Sequence, residues 1–162
     1  MSRRNAPLLA ILTQALNYVV IGVAAAVLVL AIGKIIGGHI ILSLNLFWLL
    51  PLIATVVLTS LAIAFLVAGL TSSPQTASNV GATISFLLFA LTGAMLPIEA
   101  LPDALREIVP YVVPHTAIIQ AIRGISLTGA DISVYQRQVM IGIGWLAAAL
   151  AAAALAYRFT DD

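Results

Sequence analysis

The chain has 162 residues, of which 62% are apolar and only 8% charged, with a net charge of +1 and no cysteine. About a quarter of the residues in an ordinary soluble domain are charged, so this composition excludes one, and the charge balance leaves no footprint for nucleic acid. Without cysteine there is neither a disulfide framework nor a thiolate metal site. A mean hydropathy of +1.15 points instead to an all-α protein, a single domain of several membrane-spanning helices.

The first span is expected over residues 8–33. Its apolar stretch continues to residue 36, far beyond the apolar region of an export signal, so Arg3 and Arg4 read as the cytoplasmic flank of a membrane helix. Gly37-Gly38-His39 ends it. No Asp, Glu, Lys or Arg follows until after residue 98. The second span is expected over residues 46–70, with Phe47 and Trp48 at the interface. "TSSPQTASN" (71–79) is a polar turn with proline and capping residues. The third span is expected over 80–96 and the fourth over 139–157, closed by Arg158. Four spans return both termini to one side. The paired arginines put that side in the cytoplasm of a plasma membrane and residues 97–135 outside, although Lys34, Arg106, Arg123 and Arg137 then also lie outside.

Residues 97–124 fit neither an aqueous loop nor a span. Pro102-Asp103 is a good helix start, with proline in the first turn and a carboxylate at the positive helix end. "DALREIV" makes two turns, and Pro110 is expected to stop them. A second short helix is expected to start at Pro114 and end at Arg123, with Gly124 as its cap. Each piece, at about 8–11 residues, is half the length of a span. Two such helices form a re-entrant hairpin, whose free backbone groups survive at depth only under protein or beside a water-filled cavity. Such a hairpin caps a pathway or a partner.

No phosphate-binding loop motif occurs, so any ATP must be hydrolysed by another polypeptide. His39 and His115 are isolated and the expected spans hold no carboxylate, so no catalytic, cofactor or metal site is expected. His115 is expected at the water interface. Glu99, Asp103, Arg106, Glu107 and Arg123 read first as solvated or mutually paired flanks, with gate or substrate contacts as the alternative. Thr55 and Thr59 share a helix face at i, i+4 spacing. They either line a path or bond between helices. Gly144, Ala148, Ala152 and Ala156 form a small-residue stripe expected to be a close-packing face.

The order of residues from Leu91 to Gly124 resembles the signature region of ABC-2 type permeases, the membrane subunits of ABC exporters. The matching positions are Thr92-Gly93, Pro97, Leu101-Pro102-Asp103, Pro114-His115-Thr116 and Arg123-Gly124. The resemblance implies a permease that moves a hydrophobic drug, lipid or lipid-linked glycan, working with a separate ABC ATPase and a second permease subunit in the bilayer. It also implies that Gly93, Pro97, Pro102, Pro110, Pro114, Thr116, Arg123 and Gly124 belong to a re-entrant gate. Family members usually have six spans, and the four expected here correspond to the third to sixth, so the resemblance implies either a permease subunit or a C-terminal permease fragment. A structural or assembly subunit and a small four-span secondary transporter are the other readings. The latter needs an ionisable group within a span, and none is present.

Overall fold

The computed structural model describes residues 6–36, 47–93 and 100–158. These form six α-helices: α1 (Ala6–Ile35), α2 (Leu49–Leu70), α3 (Pro74–Leu91), α4 (Asp103–Val112), α5 (Thr116–Thr128) and α6 (Gln136–Arg158), with a 3₁₀ turn at Ile132–Tyr135 leading into α6. No strand occurs among the described residues. The expected all-α membrane architecture is the one observed.

Among the described residues three stretches are long and apolar enough to cross a bilayer: Ala15–Ile35, Leu49–Leu70 and Ile132–Ala156. The pair α4–α5, bent by 100°, makes up to a fourth passage if it is counted as one span. The third expected span differs in its start. Ser73 accepts a hydrogen bond from the Thr76 amide at 3.1 Å and Pro74 occupies the first turn, so α3 begins six residues before position 80. Its polar first turns lower its hydropathy. Its 18 residues reach only about 27 Å, slightly short of the hydrocarbon core. The last residues expected in this span, 94–96, lie outside the described residues.

α2 is the central helix. Leu49, Leu52 and Ile53 at its start pack against Ile118, Ala121 and Ile125 of α5 in one buried cluster. On another side α1 approaches closely enough that a Cβ on Gly22 would lie 2.7 Å from a Val57 methyl. In a bilayer, lipid tails are as apolar as leucine, so close packing of small residues drives such contacts. The α2–α6 seam follows this rule: a Cβ on Gly69 would lie 3.2 Å from that of Ala156.

The small-residue stripe on α6 is displaced from the expected one. Ala149, Ala153 and Ala156 are buried, whereas Gly144 and Ala148 are exposed. Only Ala156 belongs to both. The buried set steps by four and then three residues, which keeps it on one side of a helix of 3.6 residues per turn. A strict step of four drifts off that side.

Candidate functional site

α4 starts where its sequence says it must, with Pro102 as the N-cap and Asp103 in the first turn. Arg106 lies 3.5 Å from Asp103 and also donates to the Leu101 carbonyl at 3.3 Å. Leu105, Ile108 and Val112 form an exposed apolar face on the same helix.

The break between the two short helices falls at Pro114 rather than at Pro110. Pro110 lies inside α4, where it removes the amide that would have bonded to the carbonyl of Arg106. Arg106 is exposed, so solvent or lipid headgroups can reach that carbonyl. Pro114 acts through its predecessor. Its ring disfavours the helical region for the residue before it, and Val113 takes an extended conformation at φ −97°, ψ 117°. The chain turns there by 100°.

Gly124 also differs from expectation. It lies within α5, and the cap is Gly129, with φ 68° and an amide bonded to the Ile125 carbonyl. The reason is tertiary: the Tyr135 phenol packs on Gly124, and any Cβ there would overlap the ring.

His115 at the tip of the elbow is buried instead of lying at the water interface. Its Nε2 is 3.0 Å from the Ser60 hydroxyl, midway along α2. The Ser60 hydroxyl also lies within hydrogen-bond distance of the Val56 carbonyl, at 2.9 Å, and the direction of the His115–Ser60 bond follows the imidazole tautomer. The neighbouring Thr116 is fully buried, and its hydroxyl has no hydrogen-bond partner among the described residues. Ser60 also faces a small cavity of about 100 Å³ between α2 and α3, shared with Gly81 and Ser85.

Arg123 provides the second anchor. Its Nη2 donates to the carbonyl of Gly93 at 2.7 Å, across 30 residues of sequence. Gly93 follows the end of α3 with φ 81°, a left-handed conformation that glycine adopts without strain. A guanidinium at the negative end of a helix is favourable. Two residues of the signature are thus in contact.

Pro97, Glu99 and His39 lie outside the described residues. Thr55 and Thr59 each donate to a carbonyl one turn back in α2, that of Pro51 and that of Thr55 itself, both at 2.8 Å. Thr59 is buried and Thr55 half-buried.

A cavity of about 690 Å³ opens where α4, α5 and α6 meet, with Arg106, Glu107, Tyr111, Gln120, Arg137 and Gln138 on its walls. Arg137 lies over the Tyr111 ring at 5.1 Å, and the Trp145 indole donates to the Tyr111 carbonyl at 2.8 Å. Sequence reasoning did not single out Tyr111, Gln120, Arg137 or Gln138. Their polarity was readable, but nothing local joins Tyr111 to an arginine 26 positions away.

The model of the ABC-2 type transporter family matches residues 2–127, from α1 into the last turn of α5. No curated protein and no solved structure matches the chain. The elbow and its Arg123–Gly93 link fall within the matched region, and the chain belongs to the ABC-2 type transporter family as a membrane permease.

Proposed function

We propose that the chain is the permease subunit of an exporter driven by a separate ATPase, with the α4–α5 elbow as a re-entrant gate at the outer mouth. The observation that supports this most is the seating of the elbow. Its tip, His115, contacts the middle of α2, and α5 runs back to the start of α2 through Ile118, Ala121 and Ile125. Arg123 meanwhile ties it to the end of α3.

In this reading both termini are cytoplasmic and the start of α2 faces outward. Two permease subunits form the pathway between them. ATP binding at the partner ATPases shifts the population from inward-open to outward-open, because the ATP-bound dimer interacts better with one state than the other. The elbow closes the pathway until that shift. The cargo is a hydrophobic drug, a lipid or a lipid-linked glycan.

The test is assembly. The purified chain alone should bind no Mg-ATP, whereas co-expression with an ABC ATPase from the same genome should yield a stable, ATP-hydrolysing complex. Tight Mg-dependent nucleotide binding by this polypeptide alone would refute the division of labour. Failure to form any complex would favour a structural role.

A further inference from the structure

The cavity between α4, α5 and α6 shares Tyr111 and Arg137 with the contacts that hold α4 against α6, but Glu107, Gln120 and Gln138 on its walls have no role in the gate. At about 690 Å³ it has the size of a small-molecule site. Two of its charges, Glu107 and Arg137, have no counter-ion among the described residues. Among the described residues no carboxylate comes within ion-pair distance of Arg137, and no cation within that distance of Glu107; the ion pair present is Asp103–Arg106. Arg137 and Glu107 therefore line one cavity without neutralising each other. A ligand carrying both an anion and a cation would give each of them a partner.

The surroundings narrow its class. Tyr111 is fixed through its carbonyl by Trp145 and presents its ring beneath the Arg137 guanidinium. Stacking on the ring restrains the guanidinium, a group able to bind a phosphate through two parallel hydrogen bonds. Gln120 and Gln138 add amide groups able to donate or accept. Ile108 and Ile141 also line the cavity. Ile108 continues into the exposed apolar face of α4, where Leu105, Ile108 and Val112 are 48%, 53% and 60% exposed. A water-soluble zwitterion has no use for that face, whereas acyl chains do.

We propose that this cavity binds the phosphoethanolamine headgroup of a bilayer phospholipid, with its phosphate on Arg137, its ammonium on Glu107 and its acyl chains along Leu105, Ile108 and Val112. A primary ammonium donates hydrogen bonds to a carboxylate and a choline headgroup cannot. A glycerol headgroup leaves Glu107 unpaired. The site stands independently of the export reading, because it serves a resident lipid and a transported one equally.

The test uses the full chain in detergent, with native mass spectrometry of added dioleoyl phosphatidylethanolamine, phosphatidylcholine and phosphatidylglycerol. Phosphatidylethanolamine should bind about tenfold more tightly than either of the others, the value of one charge-assisted hydrogen bond. Arg137→Gln and Glu107→Gln should each reduce it to the phosphatidylcholine level. If Arg137→Gln does not fold, Glu107→Gln decides alone, since that side chain is exposed and has no ion-pair partner among the described residues. Equal binding of all three lipids, or tightest binding of phosphatidylglycerol, would overturn the proposal. So would displacement of the lipid by an equal concentration of soluble glycerophosphoethanolamine, which would identify a free-headgroup site.

Discussion

Gly142 and Gly144 lie two residues apart on α6 and face different surroundings. A Cβ on Gly142 would overlap the side chain of Ile118, which is 1% exposed and walled in by α2 and α6, whereas one on Gly144 meets nothing within 4 Å. Overpacking of this kind costs about 1–3 kcal/mol. Gly142→Ala should therefore lower the unfolding midpoint of the detergent-solubilised chain. Gly144→Ala should leave it unchanged or raise it by up to about 1 kcal/mol through helix propensity. Identical midpoints for the two variants would mean that α5 does not dock on α6 through Ile118. Arg123 offers a second test at this scale. Its bond to Gly93 is short and charge-assisted, but Arg123 is exposed, so its loss should cost only about 1 kcal/mol. Arg123→Ala should speed amide exchange in the last turn of α3 and in α5, and Arg123→Lys should restore part of the protection. Unchanged exchange in Arg123→Ala would remove the tether from the account.

The two prolines of the elbow look interchangeable by local rules, and the structure separates their roles. Pro110 deletes one hydrogen bond inside a continuing helix, whereas Pro114 forces Val113 out of the helical region and makes the turn. Pro110→Ala should thus leave the bend intact and slightly strengthen α4. Pro114→Ala removes the restriction on Val113 and should loosen the bend. Spin labels on introduced cysteines at the exposed positions Leu105 and Leu127 report this, since the natural chain has no cysteine to interfere. The mean distance should be unchanged in Pro110→Ala and longer or broader in Pro114→Ala. An unchanged distance in Pro114→Ala would show that tertiary contacts alone hold the bend. The same comparison shows what was readable in the sequence. Long apolar runs gave α1, α2 and α6, and Pro102-Asp103 gave the start of α4, because each signal is local. The start of α3 was hidden because polar residues 74–79 are helical without being apolar. The position of Gly124 depends on Tyr135, and the burial of His115 on Ser60. Ser60 and His115 are 55 positions apart, beyond any local window, and Gly124 and Tyr135 meet only because the chain turns back between α5 and α6.

For the whole molecule the elbow decides the topology. α5 starts at His115 against the middle of α2 and packs Ile118, Ala121 and Ile125 on residues at α2's beginning. Tyr111, near the end of α4, contacts Arg137 in the first turn of α6 and Trp145 in its third turn. These contacts place α5 and the end of α4 beside the first halves of α2 and α6, as the proposed re-entrant gate requires. A chain that crossed the bilayer through this pair would instead need them to continue into the opposite half. Single cysteines at Asp103 and Ala130, which flank the pair, and at Ser72, between α2 and α3, can be probed in intact cells with a membrane-impermeant thiol reagent. The account predicts that Asp103→Cys and Ala130→Cys both label from outside, and that Ser72→Cys labels only after permeabilisation. Labelling of Asp103→Cys and Ala130→Cys from opposite sides would make the pair a broken span and contradict the re-entrant gate.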